Sequence, residues 1–203
     1  MALMHINFHS DVLNMDTKIC VIMPQRMQGI GLAGSEDSES YPVLWLLHGR
    51  SDDDTIWMRR TSIERYAAPL GIMVIMPEVS YSRYLNMVHG PRYFDYISRE
   101  LPEFCEKLFP KMSRKRENHY IAGLSMGGTA AITLAGKHPR QFRQALSYSG
   151  YLNTSVPGAH TLMRLALLDS GGFNLNAMYG SMISPRRFEN DPSNVISGLH
   201  GTD

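Results

Sequence analysis

The chain has 203 residues, which fits one domain because chains usually divide above about 250 to 300 residues. Hydrophobic residues make up 43% of it and charged residues 19%, which excludes the composition of a disordered chain. The net charge of +1 gives no bulk attraction to nucleic acid or to an anionic membrane. No segment has the composition of a membrane span or a signal peptide, so we expect a cytoplasmic protein without a nucleic-acid partner.

Short apolar runs alternate with amphipathic segments over the first 150 residues, which is the pattern of an α/β protein. Residues 5–13 and 17–23 are predicted to form two antiparallel strands joined by a turn at 14–16, before a polar, Gly-rich loop at 25–40. Four more strands, each expected to be buried, are predicted at residues 43–47, 72–76, 120–124 and 145–149. We therefore predict a mostly parallel central sheet with helices on both faces.

Three helices are predicted between these strands, and the last of them, at residues 126–137, follows a motif described below. The first runs to about residue 70 with Thr61 or Ser62 as its cap, and Thr61 and Glu64 have the spacing of a capping box. The second spans residues 95–108 and is kinked or restarted at Pro102. The apolar side chains on one face of the second helix are Ile97, Leu101, Phe104, Cys105 and Leu108.

Two further features favour structural roles. Cys20 and Cys105 lie in a predicted strand and a predicted helix, so we expect buried, unpaired thiols. The run Asp52, Asp53 and Asp54 is rich in ligands for a hard cation, but three consecutive carboxylates do not easily face one ion, and a solvated loop is favoured. We expect no metal and no organic cofactor.

The motif with the clearest chemical meaning precedes an Ala-rich helix predicted at residues 126–137. The tract from Gly123 to Gly127 fits Gly-x-Ser-x-Gly, and it has the required strand before it and helix after it. The two glycines permit a tight, strained turn that exposes Ser125 at the carboxyl edge of the sheet. The helix N-terminus, beginning with the N–H group of Met126, would then face any oxyanion formed there. Ser125 is the predicted nucleophile.

A second tract, His48-Gly49-Arg50-Ser51, directly follows the predicted strand at residues 43–47. Folds with such a nucleophile elbow place another oxyanion donor in the loop after the third strand. The N–H groups of Arg50 and Met126 are therefore predicted to form the oxyanion hole, with Gly49 supporting the loop. His48 is a candidate general base, but a histidine at a strand end before glycine more often orders the loop by hydrogen bonding, and we favour that role.

Four tracts between about residues 3 and 150 belong together as a pattern. They are VLWLLHG, RYFDY leading to ELP, YIAGLSMGG and SYSG. This pattern resembles the esterase D branch of the α/β-hydrolases, and it is similar to tributyrin-type short-chain carboxylesterases, S-formylglutathione hydrolases and the antigen 85 mycolyltransferases. The resemblance implies one α/β-hydrolase domain over residues 1–203 and acyl transfer from a small ester or thioester through an acyl-enzyme on Ser125.

The resemblance also implies an acid and then a histidine after Ser125, in a later strand and a C-terminal loop. Neither tract is present in full, so we expect the C-terminal strands, the acid and the histidine beyond Asp203. Residues 199–203 resemble an acid-bearing strand end, but residues 190–198 are too polar for a buried strand and favour a solvated loop. Beyond residue 150 we predict one helical stretch, at 161–168, and no strand.

A triad within the chain is disfavoured. Its candidates are His160 or His200 as the base and Asp169 or Asp191 as the acid, but loop histidines and aspartates are common on protein surfaces. His138 ends the Ala-rich helix and is expected to lie far from the nucleophile.

We therefore predict a serine carboxylesterase that acts on short acyl esters. Two alternatives remain open: a catalytically inactive hydrolase-fold protein that binds an ester or a partner chain, and an acyltransferase that uses the same serine. An apolar sheet edge left by missing strands would favour homo-oligomers. The side chains predicted either to line an acyl pocket or to pack in the core are Trp57, Met58, Tyr81, Tyr84, Met87, Tyr93, Phe94 and Met126.

Overall fold

The computed structural model describes residues 1–25, 28–29, 32–33, 38–152, 174–180 and 184–201. Eight strands lie in these ranges: β1 (Ala2–Ser10), β2 (Met15–Met23), β3 (Gln28–Gly29), β4 (Leu32–Ala33), β5 (Val43–Leu47), β6 (Met73–Pro77), β7 (His119–Leu124) and β8 (Gln144–Tyr148). Strands β3 and β4 form a separate short hairpin. The other six form one sheet in the order β1-β2-β6-β5-β7-β8.

The sheet is antiparallel at one side and parallel over the rest. Strands β1 and β2 form a hairpin, and β2 pairs antiparallel with β6. Strands β6, β5, β7 and β8 are parallel, so their carboxyl ends meet at one edge. The register aligns Leu47 of β5 with Gly123 of β7, and Leu124 with Tyr148 of β8. The predicted mostly parallel sheet is confirmed.

Helices cover both faces of this sheet. They are α1 (Ile56–Arg60), α2 (Ile63–Ala67), α3 (Tyr93–Asp95), α4 (Leu101–Leu108), α5 (Met126–Lys137), α6 (Leu175–Tyr179), α7 (Pro185–Glu189) and α8 (Pro192–Ser197). A π-helical turn, Tyr96–Glu100, joins α3 to α4. Within the described ranges, no helix combines the length and apolar character that crossing a bilayer requires.

Alternate residues of the central strands pack into two separate cores, one on each face. Trp45 and Ile75 belong to the larger core, which also contains buried residues of α4 and α5. Leu46 and Val74 belong to the smaller core, where residues of α1 and α2 pack. This period of two is the reason that near-continuous apolar runs predict strands buried on both faces.

Several local predictions were correct in kind but misplaced at their ends. The first strand has the predicted length but lies three residues earlier, the second begins two residues earlier than predicted, and their turn lies at residues 11–14. The second helix begins at Tyr93, and its conformation changes from π to α at Leu101, with Pro102 in the first turn of α4. Leu108 is 45% exposed, so its predicted burial was wrong.

The predicted capping box was also wrong. Thr61 instead closes α1, because its N–H and hydroxyl both donate to the carbonyl of Trp57. A separate helix, α2, begins at Ile63, whose N–H donates to Thr61 Oγ1. Glu64 therefore lies in the first turn of a shorter helix than the spacing predicted.

Two predictions for the C-terminal part of the chain were wrong. Strand β8 is not buried: among the described residues it is the outermost strand of the sheet, and Leu146 and Tyr148 are about half exposed. The predicted solvated loop at residues 190–198 contains helix α8, capped by the carboxylate of Asp191. Residues 161–168, where a helix was predicted, lie outside the described ranges.

Both cysteines are fully buried and unpaired, as predicted. Burial raises the pKa of the Cys20 thiol to about 11 and that of the Cys105 thiol to about 12. Since both thiols stay protonated at neutral pH, they contribute as small apolar groups in the core.

Candidate active site

Ser125 lies in the sharp turn between β7 and α5, at the carboxyl edge of the sheet. Its backbone has φ 53° and ψ −110°, in the left-handed half of conformational space where side chains are strained by about 1 to 3 kcal/mol. The Ser125 N–H donates to the carbonyl of Tyr148 at 2.7 Å, which ties the turn to β8. Ser125 as a residue is partly exposed, so the turn does not bury it in the core.

The glycines on either side of Ser125 are required by close main-chain contacts. A Cβ on Gly123 would lie 2.3 Å from the carbonyl carbon of Gly127. A Cβ on Gly127 would lie 2.6 Å from the carbonyl oxygens of both Leu47 and His48. These contacts are far shorter than any real Cβ contact, so the turn can pack against β5 only with glycine at both positions.

Helix α5 begins directly at Met126. Its first hydrogen bonds include that from the N–H of Thr129 to the carbonyl of Ser125, at 3.0 Å. The N–H of Met126 precedes these bonds, at the positive end of the helix dipole. An anion beside Ser125 would therefore meet a favourable field from α5.

The loop after β5 is ordered by His48, which is only 1% exposed. The N–H of Val79 donates to His48 Nε2 at 3.1 Å, so Nδ1 carries the proton and donates to the carbonyl of Gly49 at 2.7 Å. The hydroxyl of Tyr84 donates to the His48 carbonyl at 3.0 Å. With both ring nitrogens bonded to main chain, His48 is not placed to take a proton from Ser125.

These bonds also orient the peptide group between Gly49 and Arg50. The Gly49 carbonyl accepts from His48 Nδ1 and, at 3.4 Å, from the N–H of Asp52. In a planar trans peptide the N–H points opposite to the carbonyl, so the Arg50 N–H is directed away from His48. Gly49 itself lies beside the nucleophile turn, because a Cβ there would be 3.4 Å from the Leu124 carbonyl and 3.8 Å from Ser125 Cβ.

Aromatic side chains flank the turn on the side of β8. The indole N–H of Trp57 donates to the Leu47 carbonyl at 3.1 Å, and the Trp57 ring centre lies 6.4 Å from that of Tyr148. Tyr148 and Tyr151 are each 51% exposed.

Most of the other residues that were predicted either to line a pocket or to pack in the core take the second of these roles. Tyr84, Tyr93 and Met126 are buried in the larger core, and Met87 packs against it. Met58 packs against the smaller core, and Tyr81 is 42% exposed. The ring of Phe94 lies 5.5 Å from that of His138, at the far end of α5.

The histidines and acids considered for a triad are not assembled at Ser125 in the described ranges. His138 caps the C-terminal end of α5, as expected, and Asp191 accepts from the N–H of Ser193 at 2.9 Å. Residues 198–201 form a 3₁₀ turn next to Gly136, near the C-terminal end of α5, and not a strand end. His160, Asp169 and Asp203 lie outside the described residues.

The acidic run at residues 52–54 is a loop that is solvated only in part: Asp52 and Asp53 are partly exposed, whereas the burial of Asp54 is contrary to prediction. Asp54 is 2% exposed and pairs with the Lys18 ammonium at 2.8 Å. Burial opposes ionisation of Asp53, but hydrogen bonds from Thr55 and the charge of Lys18 lower the pKa of that carboxyl overall. No group of three or more metal-ligating side chains occurs in the part of the chain that the structure describes.

Sequence analysis missed the hydroxyl of Thr129, which links the first turn of α5 to the segment after β8. Thr129 Oγ1 accepts from the N–H of Tyr151 at 2.8 Å and donates to the Tyr151 carbonyl at 3.1 Å. The neighbouring Gly150 is similarly tight, since a Cβ there would lie 2.7 Å from the Thr129 nitrogen. The SYSG tract includes Gly150, but the sequence analysis assigned no contact to Thr129.

The chain is similar to known proteins over most of its length. The family model described as "Putative esterase" matches residues 10–197. An acetyl esterase of Caldicellulosiruptor saccharolyticus is 32% identical over 153 residues, which cover 75% of this chain and 57% of that protein. A diacylglycerol acyltransferase/mycolyltransferase of Mycobacterium avium is 31% identical over 169 residues, which cover 77% of this chain and 47% of that protein. The chain therefore spans about half the length of these curated relatives.

Solved structures agree with these similarities. A substrate-bound fluorophosphonate-binding serine hydrolase of Staphylococcus aureus has a TM-score of 0.80 and 31% identity, covering 98% of this chain and 73% of that one. An S-formylglutathione hydrolase of the same organism has a TM-score of 0.78 and 32% identity, covering 98% and 74%. The predicted α/β-hydrolase fold is confirmed, and the chain belongs to the esterase family that the model describes.

Proposed function

We propose that this protein is a serine carboxylesterase that hydrolyses short-chain acyl esters through an acyl-enzyme on Ser125. The observation that carries the proposal is the left-handed backbone of Ser125 at the β7–α5 turn, next to Gly49 and the first N–H of α5. A strained residue persists only where its surroundings enforce it, and here the enforced conformation exposes a hydroxyl.

In the proposed reaction, Ser125 Oγ bonds to the acyl carbon while a general base takes the hydroxyl proton. The carbonyl oxygen becomes an oxyanion, which the N–H groups of Arg50 and Met126 stabilise. The tetrahedral intermediate then expels the alcohol, which receives the proton from the base, and water releases the acid by the same steps. His48 is engaged by main chain, so the base is a histidine outside the described residues.

Short acyl groups fit the surroundings of Ser125. The Trp57–Tyr148 pair supplies an apolar wall beside the turn, as the walls of small-molecule sites do. A relative is named an acetyl esterase, which supports the same class of substrate. Small esters, or thioesters of the same acyl groups, are the proposed substrates, with no metal or organic cofactor.

The decisive test compares Ser125→Ala with the control Ser62→Ala. Ser62 is an exposed serine whose side chain makes no cap bond to α2. We expect Ser125→Ala to lower hydrolysis of p-nitrophenyl acetate and butyrate by at least about 1,000-fold, and Ser62→Ala to leave it unchanged. Intact-mass analysis with a fluorophosphonate probe should show one adduct, on Ser125.

Two results would contradict the proposal. Hydrolysis that survives Ser125→Ala would place the chemistry elsewhere. A wild-type chain that neither hydrolyses the esters nor accepts the probe would support the alternative of an inactive, ester-binding hydrolase fold.

Acyl transfer is a second candidate, because several relatives are named acyltransferases. It uses the same Ser125 acyl-enzyme but gives the acyl group to an alcohol instead of water. Adding glycerol and measuring how the product divides between acid and new ester separates the two activities. Homo-oligomers through the exposed edge strand β8 and a cytoplasmic location stay predictions.

A further inference from the structure

A cavity of about 500 Å³ opens at the end of the sheet opposite to Ser125. It lies where β7 begins, at His119, and where α5 ends, at Lys137 and His138. Since a 12-residue helix is about 18 Å long, this cavity is separate from the candidate active site. Its volume lies in the range of small-molecule sites, about 300 to 1,000 Å³.

The wall of this cavity is strongly cationic. Arg114, Arg116, Lys137 and Arg140 all line it, against a single lining carboxylate, Glu106. Glu106 is already engaged, because its carboxylate lies 3.5 Å from Arg114 Nε. The negative end of the α5 dipole is equivalent to only about half a charge. It therefore neutralises less than the charge of one of the three cations that are not paired with Glu106.

Two of these cations are held in position by contacts inside the protein. The Lys137 ammonium lies 5.2 Å from the centre of the Phe94 ring and donates to Asn190 Oδ1 at 2.6 Å. The Arg116 guanidinium donates through Nε to the Pro139 carbonyl at 2.7 Å, which leaves the two terminal nitrogens to define its outer edge. Positive charge is thus partly preorganised, which lowers the entropy that a ligand must lose on binding.

Burial makes this charge costly for the empty protein. It lowers the pKa of Lys137, and burial together with the Lys137 charge lowers the pKa of His138. A bound anion would offset both effects, because a nearby opposite charge favours the ionised form of each group.

We propose that this cavity binds a small soluble molecule that carries a phosphate group. Three guanidinium groups and an ammonium come from two different segments, residues 114–116 and residues 137–140, so they meet a ligand from more than one side. A tetrahedral phosphate offers charged oxygens in several directions, whereas a carboxylate offers one edge, and guanidinium groups bind phosphate oxygens in pairs. The proposal does not depend on the proposed esterase activity.

The test is calorimetric titration of the whole chain with sodium pyrophosphate, at constant ionic strength. We expect saturable binding by the wild-type chain and about tenfold weaker binding in Arg116→Gln and in Arg140→Gln, the size of one charge-assisted contact. The matched control is Arg60→Gln, which removes the same charge from an exposed position on α1 and should leave affinity unchanged. Thermal unfolding of each variant checks that the fold is intact.

Additional titrations define the chemical class of the ligand. Glycerol phosphate should compete with pyrophosphate, and acetate at the same ionic strength should not. No heat of binding up to about 10 mM pyrophosphate, or equal weakening in Arg60→Gln, would overturn the proposal. If the protein sediments with phosphatidic acid vesicles but binds no soluble phosphate, the proposal is also overturned, and the ligand is a membrane surface.

Discussion

The two ends of helix α5 carry different kinds of site. At its N-terminal end, the groups near Ser125 are main-chain amides and carbonyls, in a turn where a Cβ on Gly123 would collide with the backbone of Gly127. At its C-terminal end, the phosphate cavity is lined by the ends of long side chains. The first arrangement depends on backbone position to within a few tenths of an ångström, whereas the second depends mainly on total charge.

This difference predicts how each end responds to mutation. A methyl group added to the main chain at the elbow has no free space to enter. A guanidinium removed from the cavity leaves the backbone where it was and weakens only one contact. The expected effects therefore decrease from the elbow, through the loop that supports it, to the cavity.

The largest effect is expected for Gly123→Ala. Its new methyl would lie 2.3 Å from the Gly127 carbonyl carbon, so β7 and α5 must separate. We expect the free energy of unfolding to fall by about 3 kcal/mol, because the contact is with backbone that cannot rotate away. Urea denaturation measures this loss, and ester hydrolysis should fall with it.

The matched control is Gly198→Ala. Nothing lies within 4 Å of a Cβ at Gly198, and its φ of −68° suits any residue. We expect no destabilisation, or a gain of up to about 1 kcal/mol from a less flexible unfolded chain. Equal losses in the two variants would mean that the elbow is not especially tight.

An intermediate effect is expected when His48 is replaced, because its Nδ1–H holds the Gly49 carbonyl. His48→Asn puts an amide N–H near the Nδ1 position, whereas His48→Gln puts its amide near Nε2. If the oxyanion peptide depends on Nδ1, kcat/KM should fall about tenfold in His48→Asn and about 100-fold in His48→Gln.

Comparing the two variants tests the position of the hydrogen-bonding group at residue 48, and not only the stability of the fold. Each loses one buried hydrogen bond, so both should destabilise the fold by about 1 to 3 kcal/mol. Higher activity in His48→Gln than in His48→Asn would show that the contact from Val79 matters more than the one to Gly49.

The smallest effect is expected at the cavity end. Burial, and then the charge of Lys137, lower the pKa of His138, so Lys137→Gln should raise it while Arg60→Gln should not. Because the folded pKa lies below the unfolded value of about 6.5, the stabilisation from neutral His138 is present above that pH and lost as pH falls through the folded pKa. Titration of the His138 ring protons by NMR measures the shift, and no change in Lys137→Gln would mean that this charge is screened from His138.

Sequence patterns predicted the elements that depend on local composition. The bounds of β5 and α5 match the prediction. Each is marked by a pattern only a few residues long, an apolar run for β5 and a glycine-flanked serine for α5. The elbow glycines and the support from His48 came from the same local reasoning. The roles of Arg50 and Met126 as oxyanion donors stay predictions.

Features that depend on distant neighbours were not predictable in this way. Strand β8 contains Leu146 and Tyr148, but its place as the outermost strand among the described residues is visible only in the strand order. Asp54 is buried because Lys18 on β2 pairs with it, and nothing near Asp54 in sequence indicates this. The cationic cavity is assembled from α4, the residues before β7 and the end of α5, so no single segment carries its pattern.

The hydrogen bond from the Ser125 N–H to the Tyr148 carbonyl joins the elbow to the outermost strand of the sheet. Edge strands open locally at a lower free energy than the whole domain unfolds. Warming should therefore loosen the serine's backbone while Val43–Leu47 is still intact, and catalytic inactivation should precede the melting of the sheet's interior.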